Sequence, residues 1–482
     1  MLLDCYPRPV DLLVPEMSDP ILRRMDWILE DARIHALIRK DLAQHYKDTK
    51  DGRRPIPVEV TKRTVVLKRY KKWSYRQTEL EIKDSPMYRY WVRVYNERVP
   101  DYSTINDLER LIRPQSLHLI NNRLVVLAQE YEITQGYRLR LDSSVTESNI
   151  HHPTDSSLLV DGVRVLSRLL EWAQKSLAPT SLPQSVFSNH TRSARRRSRA
   201  IGRLTRPGRT QAQKPTSGKA LRRAYTDLIG IARTSVEQAR QALPALTADP
   251  GNLTALGLAG QLDEFLPLVE QAVDQAVRRV LQGEQVPASD KIVSLFEPHT
   301  AIIRRGKSKP NDTEFGHKVR YSEDFGELSR AVERGLVTDW QLMPDGNPPD
   351  APYLPSALRL HQKLFGHDPD ELSTDRGFFT PENEALAHQL GIEHAALPQT
   401  GSLSPERRAY QKQAWFKKAQ RFRSGVEGRI SVLRRTVQLV RCPYRGLDGF
   451  ERWVGWGIIV ANLVVMSREL NKPRRRKAKR RE

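Results

Sequence analysis

Three carboxylates stand in settings where they could serve phosphodiester chemistry. Asp142 comes near the end of a strand-like apolar run and is followed by Ser143 and Ser144. Asp375 ends a second short stretch, Glu371 to Thr374, and is followed by Arg376, Gly377 and Phe378. Glu427 lies in a helical pattern among Arg421, Arg423, Arg429, Arg434 and Arg435. Acids delivered from separate elements into a basic groove make a hard-oxygen site for Mg2+ or Mn2+. Two such ions, about 4 Å apart, can activate an attacking oxygen and stabilise a leaving one. Each acid alone has an ordinary reading. An aspartate at a strand end or before a glycine serves a turn, and a glutamate on an arginine-rich helix makes intrahelical ion pairs.

The composition supplies the counterpart. The 482 residues carry 79 Lys and Arg against 57 Asp and Glu, a net charge of +22, so the expected partner is a polyanion, DNA or RNA before a membrane surface. The most apolar run, Trp453 to Met466, is shorter than the ~20 residues of a spanning helix and reads as a buried core helix, so no membrane partner is expected. Two cysteines, Cys5 and Cys442, make neither a disulfide framework nor a zinc site. With no secretory pattern at the N-terminus, a cytoplasmic location is expected.

The elements that must position the acids follow from periodicity. Residues 1–135 read as a helical, DNA-binding region, with helices expected from Asp19-Pro20 onward, at Tyr75–Leu80, Ser85–Val94, Thr104–Ile112 (capped by Ser103) and Ser116–Tyr131. Basic and aromatic residues there (Arg76, Tyr88, Arg89, Tyr90, Arg93) suit a helix-turn-helix-like binder or a plain bundle. Tyr137 to Val145 switches to period two, placing Asp142 near a strand end. Residues 161–285 read as a helical insertion. Its run from Arg192 to Arg209, inside an acid-free stretch from Trp172 to Thr226, is expected to be a mobile basic linker in which Arg195, Arg196 and Arg197 follow DNA phosphates. Strands are then expected at Lys291–Phe296, Thr300–Arg305, His317–Glu323 and Glu327–Gly335, with a turn at Asp324-Phe325-Gly326. A helix over Ser356–Phe365, a helix opened by Pro381, a strand at Ile392–Leu397 and a long helix from Pro405 to Val440 follow. The sheet-bearing domain would comprise 136–160 and 286–470, and 471–482 would be a basic tail. The fold class is α/β: a mixed sheet flanked by helices, with a helical N-terminal region and a helical insertion.

Taken together the three segments resemble the DDE transposases of bacterial insertion sequences. In one large group of these the third motif reads Y-x-x-R-x-x-x-E-x-x-x-x-x-x-K. Arg423, Glu427 and Arg434 hold the R, E and final basic positions at that spacing, with Gln420 where the tyrosine would stand. Asp375 with Arg376, Gly377 and Phe378 is similar to the second motif, and Asp142 with Ser143 and Ser144 to the first. The resemblance implies a ribonuclease H-like catalytic domain in which Asp142, Asp375 and Glu427 hold, in all, two Mg2+ (or Mn2+) ions. It implies that Arg423, Arg434 and Arg376 meet DNA near the scissile bond. The implied partners are double-stranded element ends and target DNA at the bacterial nucleoid, with a dimer when two ends are synapsed.

Other candidates carry less. His151, His152 and Asp155 form a polar cluster that suits a transition metal or a groove wall. Ser143 and Ser144 lack a nucleophile elbow, and no P-loop or dinucleotide fingerprint occurs. Phe450, Trp453 and Trp456 suit a core before base stacking. The rival function is a DNA-binding regulator, or a decayed copy that binds without cutting; a ribonuclease role is weaker still.

Overall fold

The computed structural model describes residues 17–45, 55–177, 187–206, 214–304, 313–325, 335–343, 346–399 and 401–472. Two compact units divide the chain. The first holds residues 1–147, 318–343 and 347–482, and the second 148–317 and 344–346.

The first unit opens with helices α1 (Pro20–Ile28), α2 (Ala32–Ala43), α3 (Val58–Lys71), α4 (Tyr75–Asp84), α5 (Pro86–Trp91), α6 (Tyr102–Leu111) and α7 (Pro114–Glu130). The starts follow capping chemistry. Asp19 accepts from the backbone N–H groups of Ile21 and Leu22, and Asp31, Ser74, Ser85 and Asp101 do the same for α2, α4, α5 and α6. The cap of α6 is Asp101, two residues before the expected Ser103. Helix α3 is buried on nearly every side although it carries Lys62, Arg63, Lys68 and Arg69. Acids neutralise three of these cations: Glu59 for Lys62 and Arg63, and the buried Glu109 for Lys68 at 2.9 Å.

Strand β1 (Arg138–Ser148) then begins the sheet. In the second unit, α8 (Asp155–Ser176), α9 (Thr191–Leu204), α10 (Lys214–Thr247) and α11 (Leu253–Ala276) form a bundle, followed by a π turn at Val277–Leu281. The short strand β2 (Ala301–Arg304) pairs antiparallel with the first residues of β3 (Thr313–Phe325). The polybasic run is therefore a helix as far as Leu204, anchored by buried Ala194 and Ile201, rather than a mobile linker. Lys291–Phe296 is not a strand either. Ile292 and Leu295 are buried in the helical core, and Ile292 N–H donates to the side-chain oxygen of Gln275 on α11. A short apolar run satisfies a bundle as well as a sheet.

Back in the first unit, β3 pairs antiparallel with β4 (Leu336–Met343). Asp324 stands in that ladder opposite Leu336 and is not a turn residue; the strand expected at 327–335 lies outside the described residues, as 327–334 are not described. Helix α12 (Leu354–Phe365), strand β5 (Glu371–Ser373), helix α13 (Pro381–Gln389) and strand β6 (His394–Ala396) follow. The expected long helix is two, α14 (Pro405–Lys412) and α15 (Ala414–Thr436), broken at Gln413; β7 (Arg441–Cys442) and α16 (Leu447–Asn471) end the described chain. Within this unit the sheet order is β4-β3-β1-β5-β6, with β7 also on β1. β1, β5 and β6 run parallel.

Helix α16 has 25 residues, longer than the apolar run alone suggested and long enough to cross a membrane by length and composition, yet 78% of its apolar window is buried within the protein. It packs on α1, α3, α7 and β4. Phe450, Trp453 and Trp456 are core residues. Gly455 allows this approach, since a Cβ there would stand 2.9 Å from Leu117 of α7 and 3.1 Å from Trp340 of β4.

One polar knot fixes the register of this packing. The buried Asn462 of α16 accepts from Val337 N–H (3.0 Å) and donates to Val337 O (2.7 Å) and to the side-chain oxygen of Asn121 on α7 (2.9 Å). Asn462→Ala leaves the Val337 amide and the Asn121 oxygen unpaired in an apolar core, at about 1–3 kcal/mol for each orphaned group. A chemical-denaturation curve is expected to show a loss of about 2–4 kcal/mol; an unchanged midpoint would show that water reaches the site.

Candidate active site

Parallel pairing delivers two of the acids. β1 and β5 are in register as Arg138↔Glu371, Leu139↔Leu372 and Arg140↔Ser373. Asp142 and Asp375 each follow the last paired residues, Arg140 and Ser373, by two positions, so the pairing brings both acids to the same stretch of the two strands. Asp142 lies inside β1, the fifth of its 11 residues, and not near a strand end as expected, because the strand runs on to Ser148. Asp375 lies just past the end of β5, where its carboxylate caps the turn Arg376–Phe378. Each uses one oxygen locally, Asp142 accepting from Ser143 N–H and Asp375 from Arg376 N–H, both at 2.7 Å.

Electrostatics reports the same proximity. The Asp142 carboxyl is pushed up to about 6, first by burial, while the Ser143 N–H and Arg423 pull it down and the charges of Asp375 and Asp350 push it up. Arg423 reaches Asp142 Oδ2 from α15 at 3.5 Å. Asp142 therefore feels two neighbouring carboxylates and one cation.

Asp350 was not legible as a site residue. It arrives from the Pro-rich segment before α12, which carries no periodicity to mark it. Its oxygens take Lys318 Nζ (2.8 Å) and Arg320 Nε (2.9 Å) from β3, and Ser143 Oγ from β1 at 3.3 Å. A Cβ on Gly377 would stand 3.3 Å from Asp350 Oδ2, so the glycine after Asp375 makes room for this third acid.

Helix α15 closes the site. Gln420, at the position of the motif tyrosine, donates to Ala396 O (2.9 Å) and Thr374 O (3.4 Å), tying the helix to β6 and to the residue before Asp375. Gly425 lies against β1, where a Cβ would stand 2.9 Å from Arg140 Nη1. Under the helix is a buried ionic bridge: Glu323 of β3 takes Arg140 of β1 at 2.7 Å and Arg429 of α15 at 3.1 Å. Residue 427 follows Arg423 by one turn on the same helix face; its side chain lies outside the described residues. Arg434 is half-buried further along α15, where its charge acts on the buried Tyr321 of β3, and Arg376 is exposed in the turn after β5. Arg195, Arg196 and Arg197 belong to the second unit, on α9.

The donors Asp142 and Asp375 are hard carboxylate oxygens whose charges oppose one another, a set that suits a divalent cation of the magnesium type. Among the described residues no three His, Cys, Asp or Glu side chains already converge as metal ligands. His151, His152 and Asp155 do not share a centre: His151 meets Asp161 at 3.5 Å, His152 packs on Phe315, and Asp155 is held by Arg279 and Gln275.

A raised carboxyl fixes the sign of a pH effect. Folding favours the protonated Asp142, so its contribution is present in full below the unfolded value near 3.8 and is lost as pH rises through about 6. In divalent-free buffer Asp142→Asn is therefore expected to be more stable than the parent at pH 8, by up to about 3 kcal/mol. The advantage should vanish towards pH 4. Melting curves of the two proteins across that range check this, and parallel curves would mean that Asp142 titrates normally.

Residues 10–110, which include helices α1 to α5 and all but the last residue of α6, match the family profile described as Transposase domain (DUF772). Neither the curated proteins nor the solved structures contain a match to this chain.

Proposed function

We propose that the chain is a DDE-type DNA transposase whose sheet-bearing part is ribonuclease H-like. The observation that carries the reading is the parallel β1–β5 pairing, which ends two residues before Asp142 and Asp375, together with the charge of Asp375 acting on Asp142. Three further features support it: the sheet order β4-β3-β1-β5-β6, the passage of α15 over the strands with Arg423 on Asp142, and the transposase-domain match at residues 10–110.

In this reading Asp142 and Asp375 hold the metal ions, and Glu427 completes one of the two sites. Magnesium or manganese, when bound, supplies Lewis acidity to the phosphate and lowers the cost of forming a nucleophilic oxygen. The protein's own groups do the rest. The buried bridge at Glu323 holds α15 against the strands. Arg423 and Arg434, three helical turns apart, present guanidinium forks to the DNA backbone, and Arg376 does so from the turn beside Asp375. Water attacks phosphorus at the element end, the bond to the 3′-oxygen breaks, and a free 3′-hydroxyl results. That hydroxyl then attacks a target phosphodiester in line, so that the element's 3′-oxygen joins the phosphorus and the target's own 3′-oxygen leaves as a hydroxyl, with no covalent protein–DNA intermediate. The partners are duplex element ends and target DNA, met at the nucleoid, with two copies bridging a pair of ends. The helical segment of residues 1–135 binds the element ends.

The test uses the full chain, DNA bearing its own flanking repeats, and Mg2+. Cleavage products should appear with the parent, and Asp375→Asn should reduce them by more than the roughly 100-fold that loss of a merely supporting residue costs. DNA binding by the variant should persist. An Asp375→Asn protein that cuts as well as the parent would defeat the proposal, and salt-sensitive binding with no metal-dependent product would favour a binding protein instead.

A further inference from the structure

The triple Arg195-Arg196-Arg197 does not act as a block once α9 is folded. Three consecutive residues on a helix point in three directions. Ala194 and Ile201, seven residues apart, face the core of the second unit with Leu159, Val163 and Leu228. Arg197 lies to one side and reaches Asp227 of α10 at 3.3 Å. Arg192, Arg195, Arg196, Arg199 and Arg203 fall on the opposite face, all exposed, along about 16 Å of helix. They line an open groove with Asn189, Thr191 and Ser193; the Asn189 amide is already taken, donating to Glu171 and accepting from Thr191 N–H, and the two hydroxyls carry no opposing charge. Among the described residues, Arg192, Arg195, Arg196 and Arg199 have no carboxylate partner.

We infer that this face of α9 is a built binding surface for the phosphate backbone of duplex DNA, remote in sequence from the acids. The inference rests on the reading of the chain as a DNA-acting protein but not on its catalytic activity. Charge complementarity names the occupant. A rigid row of guanidiniums half a helical turn of DNA in length, flanked by the hydroxyls of Thr191 and Ser193, matches a regular line of phosphates. Like charges at this density repel one another along a helix unless an anion lies over them. The row therefore favours an occupied state. Nothing on it reads bases, so it strengthens binding to any sequence alike. Arg197, whose charge is already met by Asp227, is not part of the surface.

The experiment measures affinity of the full chain for a duplex of arbitrary sequence over a range of salt. Counterion release makes the slope of log K against log salt about 0.9 per phosphate contacted. Replacing Arg192, Arg195, Arg196 and Arg199 together by alanine should reduce the slope by about 3–4, and the fourfold lysine variant should restore it. Arg197→Ala should change it by less than about 1. An unchanged melting temperature shows that the fourfold variant is folded; if it is not, the lysine and Arg197 variants are compared with single alanine changes, each expected to remove about one unit of slope. A slope that stays within 1 of the parent overturns the inference, as does a loss confined to vesicles of anionic lipid. Should the parent cut no DNA while the slope still falls, the surface stands and only the catalytic reading fails.

Discussion

A buried carboxylate governs how the candidate site is assembled. Glu323 is buried on β3 and carries two arginines, Arg140 from β1 and Arg429 from α15. Arg140 also donates to Phe422 O of the same helix at 2.9 Å. Strand, neighbouring strand and helix are thus joined by one charge cluster, with Gly425 letting the helix backbone close on Arg140. A buried pair of this kind adds little stability compared with an apolar core, but breaking it costs about 3–5 kcal/mol because a charge is left unpaired. Its effect is one of specification: α15 has one seat on the sheet, and residues 420, 423 and 427 are carried to fixed places along it.

The same accounting explains why the acids need a basic surround. Asp142, Asp375 and Asp350 are close enough for the latter two to raise the Asp142 carboxyl, an unfavourable arrangement without cations. Asp350 is offset by Lys318 and Arg320, and Asp142 in part by Arg423. Asp375 takes a single backbone N–H, and no ion pair is seen for it among the described residues. The charge deficit is concentrated at the Asp142–Asp375 pair, where an added divalent ion would relieve most repulsion.

Legibility from sequence followed the physics of each element. The period-two alternation of β1 and the turn after β5 were plain, and with them Asp142 and Asp375, because alternation and strand exits are local signals. Alternation did not show that the polar face of β1 is also covered: Arg140 is buried like the leucines, its charge met by Glu323. β4 went unseen because its pairing with β3 is a tertiary fact. Asp350 had no pattern at all to announce it. The basic run of α9 read as a linker because six arginines and two serines hide a two-residue apolar seam, Ala194 and Ile201, too sparse to register as a hydrophobic face.

Arginine is used here in two opposite ways, and the difference lies in what each helix packs against. On α3 the cations Lys62, Arg63, Lys68 and Arg69 are buried, and acids or backbone carbonyls meet each of them. On α9 Arg192, Arg195, Arg196, Arg199 and Arg203 are exposed to water. The surplus of +22 cannot come from the first kind, whose charges are cancelled where they stand. It must come from segments such as α9, whose helical order turns a simple excess of charge into a line of it. A disordered basic stretch would attract DNA equally at a distance. A folded one also fixes the spacing of its contacts, so less conformational entropy is lost when phosphates arrive.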